Sequence, residues 1–478
     1  MAAVEDRLAE LEILSEAQGK ALDAAFLLVS AIFVFMMQFG FAALEVGSVR
    51  PKNTKSVLMK NVLDAAIGAL VWWLCGHSVA FGDSGGSRAI IGQGDLAFSP
   101  RLSATDPGSV AIRYAQWILQ WAFAATSTTI VSGAIAERVA LHAYLMYAVV
   151  ITCVIYPVVV HWVWSGDGWA SPFRANDSDL LFGCGAADVS GSAVVHLTGG
   201  LMAFVAAIST KARGGRFDAQ GRPCRLERQS PALNVLGTLA LWTGWFFFNA
   251  SGISSFSAQP DAAAKSMLNT AVCPAGSTIV TMALQWYCHR SFDPFVATNG
   301  VLGGLVAITA SSPMVETEAS FVIGVLSGFL VFYGSKLVLR IKVDDVVDAS
   351  AVHGLCGLWG MLATGLFTTK IGYGRAFSED RADDCCGLFY GCDGSLMAAN
   401  IVFVLAMIVW VGGFAIVLFA GIKYTLGLRI NTTAEEAGMD KTRHGSYQGG
   451  VTAPRGVLDA VRRLTNAPSE SSTTDVLA

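Results

Sequence analysis

Charge is scarce in this chain. Of 478 residues, 14% are Asp, Glu, Lys or Arg and 53% are apolar, with 27 Phe, 12 Trp and 50 Gly, and mean hydropathy is positive. A soluble domain of this length does not have that composition, so an integral membrane protein is expected. The net charge of −4 gives no support to nucleic-acid binding. The ten cysteines include no CxxC pair, which argues against a zinc site or a redox dithiol, and no metal or cofactor is expected. The first 21 residues are acidic and have no basic leader region, which argues against a cleaved signal peptide and predicts an external N-terminal segment.

What the chain does have is long apolar runs. Segments able to cross a hydrocarbon layer of roughly 30 Å fall near 22–46, 61–82, 111–136, 139–164, 189–211, 232–254, 267–288, 295–311, 320–340, 350–368 and 396–423. With alternate loops taken as cytoplasmic, one set carries fifteen Lys and Arg, led by Arg50, Lys52, Lys55 and Lys60 and by the run Lys211 to Arg228, and the other set carries seven. Basic residues collect on cytoplasmic loops, so the N-terminus is predicted outside and the tail after 424 inside. The expectation is an all-α integral membrane protein with a membrane domain over 22–423 and a tail over 424–478.

Two stretches echo each other. Asp188 to His196 and Asp345 to His353 share the spacing Asp-x7-His, a Val before the histidine and a Gly four residues after it, Gly200 and Gly357. If spans one to five and six to ten are the two halves, the odd number makes them inverted, a common transporter plan with the substrate site at the repeat interface. Imidazole at membrane depth is costly and usually functional. Hydropathy alone puts each histidine near a helix end and leaves open whether the rings meet. The alternative is two separate histidines satisfied near the interfaces.

Aromatic residues accumulate toward the predicted outer side at Trp117, Trp121, Phe123, Trp162 and Trp164. Each suits an interfacial belt, and an aromatic face also suits a small cation. Cys385, Cys386 and Cys392 share a predicted external loop where a disulfide is permitted, with partners unassignable. Asn176 opens the one sequon in an external loop, a glycosylation candidate. The tail ends in a polar stretch that reads as disordered, whereas Glu435 to Gln448 is patterned for docking.

Several motifs together resemble the plant-type ammonium transporters of the Amt/Mep/Rh superfamily. They are Gly47 to Asn53, Asn61 to Ala66, Gln120 to Ala124, Ser132 to Arg138, Asp167 to Arg174, Asp188 to Gly200, Gly244-Trp245 with Phe248-Asn249, Asp345 to Gly357, and Ala437 to Gly445, covering roughly 22–447. The resemblance implies eleven transmembrane helices, two inverted five-helix repeats plus a final helix, in a homotrimer with one pore per subunit in the plasma membrane. It implies high-affinity transport of ammonium, with methylammonium as analogue, and no enzyme activity.

On the same resemblance His196 and His353 are twin pore histidines, Phe123 is the inner cap, Trp164 the vestibule aromatic, and Trp245 and Phe248 line the pore. Asp188 is the buried carboxylate of the recruitment region, expected to hold backbone. The outer phenylalanine gate falls at Leu119. The vestibule serine falls at Gly252, with Ser251 one place earlier as a substitute. Gly438 and Thr442 match the regulatory part of the tail, where a kinase adds a phosphate and a neighbouring subunit is contacted. An electroneutral ammonia channel of Rh type and a non-transporting ammonium sensor are the competing readings.

Overall fold

A computed structural model describes residues 2–82, 90–94, 96–98, 107–174, 179–253 and 255–444. Eleven long helices follow one another: α1 (Ala2–Ser48), α2 (Pro51–Phe81), α3 (Pro107–Ala134), α4 (Leu141–Trp164), α5 (Ser192–Thr210), α6 (Pro231–Ala250), α7 (Pro260–His289), α8 (Pro294–Ile308), α9 (Thr317–Arg340), α10 (Ser350–Phe367) and α11 (Ser395–Thr425). Nine of the described helices are long and apolar enough to cross a membrane, and α8 is a shorter apolar helix. A helix closes its own backbone hydrogen bonds, which is what lets such apolar runs sit in lipid. Starts are written locally: proline stands in the first turn of α6, α7 and α8, the Ser230 hydroxyl accepts from the Leu233 amide, and the Asp293 carboxylate accepts from the Phe295 amide.

The surface is inverted relative to a soluble protein. On α11, Val409 and Val417 are 75% and 70% exposed, while Asn400 is fully buried and binds the Met361 carbonyl and the Ala187 amide. Among the helices, α1 packs along α6 and α5 packs on α10. Of the segment 1–21 set apart on composition, residues 2–21 continue without a break into the first apolar run as α1.

Among the described residues four wide π turns interrupt the helices, at Trp72–Gly76, Ile151–Ile155, Ser192–Leu197 and Ser350–Leu355. Such insertions mark functional places more often than chance. The last two carry His196 and His353.

At the face bearing the tail, two short helices, α12 (Thr432–Ala437) and α13 (Met439–Thr442), fold back onto the start of α2. The Met439 amide donates to Asn53 Oδ1 at 2.9 Å, and the Asp440 carboxylate accepts from the amides of Lys55 and Ser56 at 3.0 Å. Asp440 therefore supplies, from the far end of the chain, the anion that the first turn of α2 needs. Gly438 has φ +92° and a Cβ there would stand 2.6 Å from Lys52 Cβ, so only glycine fits the approach.

A buried ionic network lies beside it. Glu137 accepts from Arg50 at 2.5 Å, from Asn53 at 2.7 Å and from Arg213. Asp344 accepts from Arg213 and Arg216, and Glu435 from Arg429 and the Gly214 amide. Burial pushes the Asp344 carboxyl up, but hydrogen bonds and charge from Arg213, with Arg138 beyond, hold it well below the usual carboxylate range. At the opposite face Cys184 pairs with Cys385 and Cys386 with Cys392, which resolves the pairing composition left open; Cys75 pairs with Cys153 between α2 and α4. Asn176 lies outside the described residues.

Candidate functional site

The two histidines meet in the centre of the bundle. His353 Nδ1 lies 3.3 Å from His196 Nδ1, and the ring centroids are 5.3 Å apart at an interplanar angle of 23°. His196 is fully buried and His353 is 4% exposed. Aromatic rings continue the line on both sides. Trp164 stands 5.8 Å from Phe123, Phe123 4.3 Å from Phe248, and Phe248 5.5 Å from His196; beyond the pair, Phe41 lies 6.5 Å from His353. Trp245 stacks on His196 at 4.8 Å and 20°, its indole donating to Thr309 Oγ1 at 2.9 Å.

The repeated motif explains the approach. α5 and α10 cross at the glycines that follow the histidines: a Cβ on Gly200 would stand 2.2 Å from the Gly354 amide nitrogen, and one on Gly357 would stand 2.5 Å from the Ser192 carbonyl oxygen. Backbone contact at this crossing is what puts the rings within hydrogen-bond reach. The aspartates start the two arms. Asp188 Oδ1 accepts from the amides of Gly191 and Ser192 at 2.9 and 2.8 Å, and Oδ2 from those of Ala193 and Val194, both at 2.9 Å. Its backbone carbonyl accepts from the Trp164 indole at 2.6 Å. Asp345 Oδ2 accepts from the Ser350 amide and hydroxyl, both at 2.7 Å, while its Oδ1 has no partner.

The geometry has a chemical consequence. A hydrogen bond between two Nδ1 atoms needs one donor and one acceptor, so a neutral pair shares one Nδ1 proton. One ring then keeps an accepting Nε2 and the other a donating Nε2. When the accepting Nε2 takes up a proton, the shared proton passes to the other ring and that ring's Nε2 gives one up; the roles are then exchanged with both rings neutral again, which is what a proton relay requires.

Of the residues singled out from sequence, His196, His353, Phe123, Trp164, Trp245 and Phe248 come together, and Asp188 holds backbone. Leu119 is buried one turn before Phe123 on the same helix face. The Ser251 hydroxyl donates to the Phe248 carbonyl at 3.1 Å. A Cβ on Gly252 would stand 2.2 Å from Ser190 Oγ and 2.6 Å from the Val189 carbonyl, so a serine there would displace the segment that starts the Asp188 arm. The remaining tryptophans take other places: Trp117 pairs with Trp121, and Trp162 with Trp169 and Trp410. Thr442 donates to the Gly438 carbonyl within α13. Phe41 and Thr309 were not singled out, since Phe41 sits in an apolar run rich in Phe and Thr309 carries no motif.

A cavity of about 380 Å³ opens at the tail-bearing face, lined among others by Asp345, Asp348, Asn299, Arg213 and Arg228. Asp348 accepts from Asn299 Nδ2 at 2.7 Å, so the start of the His353 arm borders polar space.

Fold and site define a polytopic helical membrane protein with a histidine pair buried in an aromatic column. Residues 25–448 match the model of the Ammonium Transporter Family, and the chain belongs to that family. It is 40% identical to ammonium transporter 1 member 3 of Solanum lycopersicum over 438 residues, 89% of this chain and 93% of that protein. Over 411 residues it is 39% identical to ammonium transporter 1 member 2 of Arabidopsis thaliana, 84% of this chain and 78% of that protein. Among solved structures, a sensor Amt protein superposes with TM-score 0.79 at 29% identity, covering 90% of this chain and 99% of that one. Mep2 of Saccharomyces cerevisiae, TM-score 0.73 and 23% identity over 86% and 88% of the two chains, shares the fold.

Proposed function

We propose that this chain carries ammonium across the plasma membrane with high affinity by separating it into ammonia and a proton, and that the net result moves one positive charge. Support comes above all from the line of rings Trp164, Phe123, Phe248, His196, His353 and Phe41 with its single polar step at the histidine pair. Placing a bare cation in such surroundings costs about 20 kcal/mol in the idealised Born limit. Ammonia forfeits only ordinary hydrogen bonds, and the donor and acceptor of the imidazole pair replace them. Potassium has no proton to release and stays charged, so selectivity follows from chemistry rather than from width.

In this reading Trp164 offers an aromatic face to the cation, Ser251 lies near the entrance, and Phe123 and Leu119 guard the passage. The chain spans the membrane eleven times, as two inverted halves plus α11, and assembles as a homotrimer with a pore in each subunit. The N-terminus lies outside and the tail inside, where a kinase acting at Thr442 would add nearly two negative charges beside Arg443 and weaken the docking around Gly438. Asn176 is the glycosylation site if the cell glycosylates.

The test is voltage-clamp current in oocytes given ammonium, methylammonium and potassium in turn, beside His196→Ala. Saturable ammonium current, absent with potassium and abolished in the variant, is expected. Uptake of labelled methylammonium without current would replace this reading with electroneutral conduction. The likeness to the sensor protein favours a second reading, in which the docked tail reports occupancy. Neither current nor uptake from surface-expressed protein would select it.

A further inference from the structure

A second cavity, of about 210 Å³, lies under the tail and away from the histidine pair. Ser56, Lys60, His142, Ile430, Arg443 and His444 contribute to its wall. Lys60 is 1% exposed and its Nζ has no hydrogen-bond partner, with the Tyr144 ring centroid 5.8 Å away. Glu45 is the carboxylate that faces Lys60 most strongly, with Glu137 and Asp64 beyond it, but each spends its oxygens on other donors: Glu45 accepts from Asn61 at 3.1 Å, Asp64 from Thr129 at 2.6 Å, and Glu137 from Arg50, Asn53 and Arg213. His142 Nε2 meets the carbonyls of Leu426 and Gly427 at 2.9 and 3.0 Å, so it donates there. The amides of Lys55 and Ser56 are taken by Asp440.

A buried ammonium whose Nζ makes no hydrogen bond is costly, and an anion with several acceptor oxygens supplies the missing bonds. The Arg443 guanidinium and the imidazoles of His142 and His444 share the same space. We propose that this cavity binds a phosphate-class anion, either inorganic phosphate or the phosphomonoester headgroup of a lipid. Lys60 supplies the buried charge from α2 and Arg443 supplies the other from the tail. Because these residues belong to different parts of the chain, the bound anion ties the tail to α2 and stabilises its docked position.

Full-length protein purified in detergent, titrated with sodium phosphate against sodium chloride of equal ionic strength, tests the site through its unfolding midpoint. A rise of about 2 °C or more at ~10 mM phosphate is expected, since a ligand bound only by the folded state stabilises it. The rise should vanish in Lys60→Met and shrink in Arg443→Gln. In nanodiscs without added phosphate, a Lys60-dependent rise when phosphatidic acid replaces part of a phosphatidylcholine bilayer assigns the lipid headgroup. A rise in detergent alone assigns the free anion. No shift in either arm, or full shifts in both variants, overturns the proposal. Arg443 is exposed, so its variant decides the matter even if Lys60→Met does not fold.

Discussion

The two histidine arms begin with the same residues and are anchored by different physics. Asp188 spends both carboxylate oxygens on four consecutive backbone amides, a complete cap for the first turn of α5. Asp345 makes two bonds, both through Oδ2 and both to Ser350, and leaves Oδ1 free beside a cavity. The chain before His353 is held instead by its neighbour: Asp344 takes Arg213 and Arg216, and its carbonyl accepts from Arg138 at 2.5 Å. A repeat in sequence thus preserves where the ring must be, while each half finds its own anchor.

The largest effect expected from breaking this asymmetry is at Asp188. An Asn there puts an NH2 against two amide donors, and each bond from a buried amide to a charged acceptor is worth about 1.5 to 3 kcal/mol, so about 3 to 6 kcal/mol is lost with the two. Asp188→Asn should lower the unfolding midpoint by several degrees and abolish ammonium current. Asp345→Asn keeps an oxygen for Ser350 and should change stability by less than about 1 kcal/mol. Equal losses in the two variants, measured by thermal unfolding of purified protein, would mean that the arms are equivalent.

Asp344 sharpens the same contrast through pH. Its folded pKa lies below the unfolded value of about 3.9. The stability it contributes is therefore fully present above pH 4 and is lost as pH falls from there through the folded value. Asp344→Asn breaks a buried pair and should cost about 3 to 5 kcal/mol. The difference between variant and unaltered protein should be flat from pH 5 to 8 and narrow below pH 4. A difference that instead narrowed above neutrality would assign the effect to a partner rather than to Asp344.

Much of this site was legible because its parts are written locally. The Asp-x7-His spacing with glycine four residues on carries the caps, the rings and the crossing, and each half repeats it. The aromatic column was legible only through resemblance, since composition treats Phe123 and Trp162 alike, yet one faces the column and the other packs on Trp169 and Trp410. Phe41 was hidden because one Phe in an apolar run looks like another, and only its approach to His353 in the folded chain selects it. The π turns left no readable mark. The Asp440 cap on α2 joins residues 384 and 385 positions apart, and no window along the chain can see it. Gly252 looked like the loss of a serine, but Ser190 Oγ occupies the space its Cβ would need.

The crossing itself offers the next test. Gly200→Ala forces a methyl against the Gly354 backbone and Gly357→Ala forces one against the Ser192 carbonyl, at 2.2 and 2.5 Å. Overpacking of this kind costs about 1 to 3 kcal/mol. Both variants should fold with lowered midpoints and lose most ammonium current, because the rings separate. Gly413→Ala, with open space around its Cβ, is the control and should match the unaltered protein. Normal current in both crossing variants would remove backbone contact as the reason the rings meet.

The smallest effect concerns the rings flanking the pair. Trp245 lies 4.8 Å from His196 and is itself fixed by Thr309, whereas Phe41 lies 6.5 Å from His353 at a tilted 46° with no polar handle. Trp245→Phe gives up one indole hydrogen bond, worth about 0.5 to 1.5 kcal/mol, and leaves Thr309 Oγ1 without the indole donor while it still donates to the Leu305 carbonyl. His196 can then rock within its stack, so maximal current should fall several-fold with the half-saturating ammonium concentration little changed. Phe41→Leu keeps an apolar side chain of similar bulk and should leave current within about twofold, as volume-conserving core swaps are well tolerated. If Phe41→Leu were the more damaging of the two, the better-anchored His196 would not be the ring whose orientation limits transfer, and the freer His353 arm would take that role.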